Sequence, residues 1–249
     1  MGLSRLARLS HDIRPGRCGM ARPLSRQVAK PGRRFGNHPA TGRFPPTSVE
    51  KNIMTRLILE ASTSPATWVL SRQGETLASG KLSGTVAASL IPSLREILRD
   101  PPRPDQILVG VGPGSFSGIR SAIASAEGMA AAWHCPVLPV RSTGSLAWQF
   151  PQATHLGIFS DARRGDIFST FYTSGKIERP TAVHPASELP KLLSRCTLAI
   201  TPDGLPGVPQ TALPNATTLA AYLHAHGLEP GLPLEPIHLR PALARPAGS

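Results

Sequence analysis

The segment richest in chemical potential is 110–120, GVGPGSFSGIR, where Gly112, Gly114 and Gly118 lie between an apolar strand pattern and a helical one. A strand that turns through glycines into a helix leaves backbone N–H groups at the positive helix end, where a phosphate or carboxylate can sit. Gly112, Gly114, Ser115 and Gly118 are therefore candidates for an anion or nucleotide turn. The spacing GxGxxxG misses the dinucleotide fingerprint by one residue, and no Lys-Ser/Thr follows as in a Walker loop. A plain structural turn explains the same residues. Ser115 and Ser117 read as helix caps, since neither occupies a GxSxG elbow. A second polar group, Asp161, Arg163, Arg164 and Asp166 around Gly165, sets two carboxylates beside two guanidiniums near a strand end. It could bind a phosphate or an acidic loop, or its members could pair with each other across a turn.

Metal and thiol chemistry find less support. The eight histidines include no HxxxH; the close pair His224 and His226 stands at i,i+2 on an expected helix, so the two point apart and read as surface residues. Cys18, Cys135 and Cys196 form no CxxC and cannot by themselves build a disulfide framework or a four-ligand zinc site. That usage suits a reducing, cytoplasmic compartment. No run approaches the ~20 uninterrupted apolar residues of a membrane helix.

The elements that must position these groups alternate from Met54 onward. Residues 56–61, 67–72 and 76–82 read as strands of a β-meander, the last two joined at Gln73-Gly74-Glu75. Residues 85–99 carry Val86, Leu90, Ile91, Leu94, Ile97 and Leu98 at helical spacing, with Pro92 either kinking the helix or lying in its first turn. A strand at 106–111 leads through the glycine turn into a helix over 117–133, in which eleven of seventeen residues are Ala, Ser or Gly. One face of this helix, with Ile119, Ile123, Ala126 and Ala130, suits its own sheet. The other, with Ala122, Ser125, Met129 and Ala132, suits a second helix. Either this helix is buried in its own domain, or it joins the 85–99 helix in a two-helix surface for a partner. Strands at 136–140, 154–160, 166–173, 176–183 and 197–201, helices at 186–195 and 216–225, and a Pro-rich extended tail complete a mixed α/β reading with two lobes, 54–150 and 151–249.

The net charge of +12 is concentrated in residues 1–53, which hold eleven Lys+Arg against two Asp+Glu together with six Pro and six Gly. That stretch lacks apolar periodicity and is expected to be disordered. It could be a basic nucleic-acid arm, an organelle transit peptide, or upstream sequence translated from a misplaced start. The last is favoured, because Met54 opens the first regular pattern. Twelve aromatic residues are few for a single-strand nucleic-acid platform.

LILEASTSPATWVL, then ILVGVGPGSFSGIRSAIASAEGMAAAWHCPVLPVRSTGSLA, SDARRGDIF and a terminal EPIHLR resemble the TsaB (YeaZ) family over residues 54–240. The resemblance implies a two-lobed, actin-like ASKHA (RNase H-like) α/β fold with mixed sheets, after the disordered basic extension. It implies a non-catalytic scaffold that supports a TsaD-type catalytic subunit in threonylcarbamoyl transfer to adenosine 37 of tRNA. A TsaE-type ATPase belongs to the larger assembly, tRNA is met indirectly, and a homodimer through the same helices stays open. Partner-binding residues are then expected at Val86, Leu90, Leu94, Ile97, Ala122, Ser125, Met129 and Ala132.

By the same resemblance this chain has no catalytic residue, metal or cofactor of its own, with ATP and metal on the partner. The metal-ligand positions of the catalytic relative fall by order of elements near Ser142 and Leu146, neither a useful ligand. Where the family commonly reads DTST, this sequence has Glu60-Ala61-Ser62-Thr63, which shifts the carboxylate by one methylene. The alternatives are a stand-alone ATPase or peptidase, and a tRNA-binding module that uses the basic arm.

Overall fold

The structure, a computed structural model, describes residues 54–95 and 103–237. The expected disordered extension, Ile97 and the far end of the 85–99 helix lie outside the described residues. So do the last twelve residues.

The first sheet begins with β1 (Thr55–Glu60), β2 (Thr67–Arg72) and β3 (Glu75–Lys81), an antiparallel meander. Gln73 and Gly74 close the β2–β3 hairpin with φ of 51° and 85°, the two positive angles that a tight hairpin turn demands. The parallel strands β4 (Gln106–Gly110) and β5 (Val137–Val140) extend the sheet on the other side, in the order β3-β2-β1-β4-β5. Near-continuous apolar runs mark strands buried on both faces, and the period of two assigns each side chain a side. Leu57, Leu59, Trp68, Leu70, Ile107 and Val109 point into one core, whereas Ile58, Val69 and Leu108 point into a second.

The first core is covered by α1 (Val86–Leu94) and α2 (Phe116–Trp133), which pack on each other. Pro92 lies in the last turn of α1, where Arg95 N–H donates to the Pro92 carbonyl at 3.3 Å. The second core is filled by α3 (Thr143–Gln149) and α5 (Ala216–His226). The short run of α3, TGSLAWQ, gives no strong period, and the periodicity of the sequence did not announce this helix.

The second sheet repeats the first in its connections. β6 (His155–Arg163), β7 (Asp166–Thr173) and β8 (Lys176–Pro185) form a meander, and β9 (Leu198–Thr201) and β10 (Gln210–Thr211) add in parallel, giving β10-β9-β6-β7-β8. The helix expected over 186–195 divides into a single 3-10 turn, Ala186–Glu188, and α4 (Leu189–Leu193), with Pro190 in the first turn of α4. Phe159, Ile167 and Phe171 meet Leu189 and Leu192 of this region in a third cluster. α5 lies between the sheets, and Ala216 N–H donates to Thr67 Oγ1 at 2.9 Å, so each sheet shares a core with the other.

Candidate functional site

The glycine turn after β4 is shaped by close approach. A Cβ added to Gly114 would lie 2.2 Å from the Ser62 carbonyl oxygen, and one added to Gly118 would lie 2.4 Å from that of Ala61. Only hydrogen at these positions lets the start of α2 rest on the β1–β2 connection. The N–H groups there are largely engaged: Ser115 N–H donates to the Ser62 carbonyl at 2.7 Å, Gly112 N–H to Ser142 Oγ at 3.0 Å, and Gly118 N–H to Ser115 Oγ at 3.2 Å. Ser115 is thus the N-cap of α2, and the N–H groups of Gly112, Ser115 and Gly118 are already bonded within the protein. An anion arriving here would have to compete with these bonds.

Glu60, the carboxylate nearest this turn in the first strand, does not face outward. It is 2 % exposed, its Oε1 accepts from the N–H and hydroxyl of Ser62, and its Oε2 has no hydrogen-bond partner among the described residues. The carboxyl occupies the space beside Gly110, where an added Cβ would lie 2.1 Å from Oε2 and 2.8 Å from Ser142 Oγ. Burial pushes the Glu60 carboxyl above its ordinary range, and the bonds from Ser62 only partly oppose the shift. Ser142 itself is buried and receives the Gly112 N–H, while Leu146 packs in the second core. Among the described residues no group of three His, Cys, Asp or Glu is placed to hold a metal.

The DARRGD segment forms the β6–β7 hairpin. Asp161 Oδ1 accepts from Arg163 N–H at 2.7 Å, and Asp161 Oδ2 pairs with the Arg163 guanidinium at 3.0 Å. Arg163, Arg164 and Gly165 have φ of 66°, 56° and 81°, so two arginines hold the left-handed conformation that glycine or asparagine adopts more cheaply. Asp166 sits opposite Arg163 in the ladder. Asp161 and Arg163 therefore associate within their own turn.

The glycine turn and this hairpin meet at one cleft of about 670 Å³, lined by Ser62, Ser115, Asp161 and Arg163 together with Asp203 and Ile237. Asp203 had no motif to announce it; it follows β9, and it enters the cleft wall because its Oδ2 accepts from Asp161 N–H at 2.8 Å. A second polar tie escaped the sequence for the same reason, distance along the chain. Arg141, nearly buried, makes a two-pronged pair with Glu229 at 2.9 and 2.6 Å and reaches Thr181 at 2.7 Å.

The helix faces differ from those expected. Val86, Leu90 and Leu94 of α1 and Ala122 and Met129 of α2 are buried in the first core, Ser125 is half-buried, and Ala132 is exposed. The face expected to receive a partner is therefore covered mostly by this chain's own packing. This is a correction to the sequence reading, because the apolar stripe of each helix is what its own sheet and neighbour helix require. The opposite face is open: Ala87, Ala88 and Ile91 of α1 and Ala124, Gly128 and Ala131 of α2 are exposed, and a Cβ at Gly128 would meet nothing within 4 Å. His224 and His226 are exposed, in keeping with a surface position.

A family model described as "TsaD: tRNA N6-adenosine threonylcarbamoyltransferase" matches residues 85–193, from the N-cap of α1 to the end of α4. The tRNA threonylcarbamoyladenosine biosynthesis protein TsaB of Haemophilus influenzae is 28 % identical over 123 residues, covering 46 % of this chain and 52 % of that protein. The match thus spans about half the length of that relative. YeaZ from Pseudomonas aeruginosa superposes with a TM-score of 0.56 at 24 % identity, covering 70 % of this chain and 94 % of that one. A second structure, described as an uncharacterized protein with similarity to peptidase YEAZ from Pseudomonas aeruginosa, gives 0.58 at 24 %, covering 76 % and 100 %. At that identity the likeness speaks for the fold alone, a mixed α/β architecture with two mixed sheets.

Proposed function

Taking as premise the TsaB/YeaZ family assignment that the TsaB homologue and the YeaZ structures support, we propose that this chain is a non-catalytic subunit of the machinery that forms threonylcarbamoyladenosine in tRNA. Its work is to dock on a TsaD-type catalytic subunit. That subunit carries the ATP and metal, a TsaE-type ATPase joins the larger assembly, and tRNA is engaged through the partner.

The observation that carries this reading is the outer face of the α1–α2 pair. Ala87, Ala88, Ala124, Gly128 and Ala131 form a smooth exposed strip beside Ile91, which is 48 % exposed. Small side chains let a second helix pair come close, so contact is made along the backbone ridges rather than by a few long side chains. The glycine turn supports the same reading from the other side: its internal hydrogen bonds give it the duty of fixing the start of α2, and hence the angle at which the strip is presented. Glu60, turned inward against Gly110, is not placed to reach a nucleotide phosphate from the cleft.

Reconstitution tests the proposal. The TsaD-type subunit of the same organism, with its other partners, should transfer threonylcarbamoyl to tRNA only when this chain is present, and this chain alone should neither hydrolyse ATP nor cleave peptides. Undiminished transfer without the chain, or turnover by the chain alone, would overturn it.

A further inference from the structure

The tie between Arg141 and Glu229 borders a cavity of about 390 Å³, where the end of β5, the start of β8 and the C-terminal end of α5 come together. Its charges decide the sign of an occupant. Glu229, the carboxylate in the wall, is already held by two prongs of Arg141, whose side chain is only 9 % exposed and also donates to Thr181. These bonds leave part of the guanidinium's donor fork unused. Lys176, exposed at the first position of β8, makes no ion pair among the described residues. Burial, and after it the Glu229 carboxylate, push the Tyr222 hydroxyl above its ordinary range, so that group stays a neutral donor. With Glu229 matched by Arg141, the cavity keeps an excess of positive charge at Lys176. Its shape adds a second requirement. The rings of Tyr222 and His226, one turn apart on α5, lie 4.7 Å centroid to centroid at 36° and give the cavity an aromatic wall, with Ile177 and Leu223 as apolar neighbours.

We propose that this cavity binds a small aromatic carboxylate, its ring against Tyr222 and His226 and its charge toward Lys176 and Arg141. The inference does not depend on the function proposed above. A planar carboxylate matches the forked donors of an arginine, and a flat ring covers the aromatic wall. Inorganic phosphate would leave that wall uncovered, and an aromatic amine would bring a second cation to Lys176. The volume lies at the small end of the range for organic ligands, which suits one ring and a short acid arm. Because the seat is built from β5 of the first sheet, β8 of the second and α5 between them, an occupant ties the two sheets together and stabilises the fold by binding.

Calorimetric titration of the full chain tests this with benzoate, 4-hydroxyphenylacetate and indole-3-acetate as probes. Tryptamine serves as the ring with the opposite charge, and inorganic phosphate as the anion without a ring. At least one of the carboxylates should bind with a Kd of about 1 mM or tighter, and tryptamine and phosphate at least about tenfold more weakly. Lys176→Glu, at an exposed strand end, should weaken the carboxylate by about tenfold or more, and His226→Ala, which strips the aromatic wall, by about threefold or more, each with a melting temperature near wild type. No binding by any of the carboxylates, equal binding of tryptamine or phosphate, or an affinity unchanged in Lys176→Glu or in His226→Ala, would each overturn the proposal.

Discussion

Glu60 shows what burial does to a carboxylate at the end of the first strand. The side chain folds back on Ser62 and fills the space beside Gly110, and Oε2 has no hydrogen-bond partner among the described residues. Because desolvation raises its pKa above the ordinary value of 4.5, the folded state binds the proton more tightly than the unfolded chain does. Stability should therefore be greatest at or below about pH 4.5 with respect to this group, and should fall as pH rises toward the folded pKa. Glu60→Gln removes the ionisation, so its melting temperature should exceed that of wild type at pH 8 and the gap should narrow toward pH 5. A gap that does not change with pH would mean that Glu60 ionises as freely in the fold as outside it. Arg141 makes the opposite case, a charge that is nearly buried and fully engaged. Arg141→Met should cost roughly 1–3 kcal/mol in denaturant unfolding, since it strands Glu229 and frees Thr181.

At the scale of elements, the start of α2 is set by hydrogen atoms. Gly114→Ala or Gly118→Ala would drive a methyl into the Ser62 or Ala61 carbonyl, and each should cost about 2–3 kcal/mol in the same unfolding measurement. The helices themselves show which part of the fold the sequence could reveal. Period and glycine punctuation located α1, α2, the two meanders and the turn at Gln73-Gly74, because those signals are local. α3 stayed hidden, since a run of seven residues, four of them small, carries little amphipathic contrast. The same limit misled the choice of docking face: the apolar stripe Val86, Leu90, Leu94 and the small residue Ala122 announce burial, and only the packed structure decides whether the burying surface is foreign or native. The cleft was half legible. Both of its motifs could be read, but their meeting, and the presence of Asp203 between them, depend on strand order. The contrast is measurable. Ala122→Glu should unfold the protein by several kcal/mol, whereas Gly128→Glu, at an open helical position, should leave the melting temperature near wild type or raise it slightly.

At the scale of the whole molecule, two sheets with the same strand order share a core built around α3 and α5, while α1 and α2 stand on the far side of the first sheet. That arrangement leaves one smooth helical strip without a cover among the described residues, and the account assigns the strip to a TsaD-type partner. The direct measurement is the dissociation constant between this full chain and that partner, for wild type and for the Gly128→Glu and Ala124→Glu variants. The account predicts at least about a tenfold weaker complex for each variant, with melting temperatures unchanged or slightly higher. Wild-type affinity in both variants would contradict it.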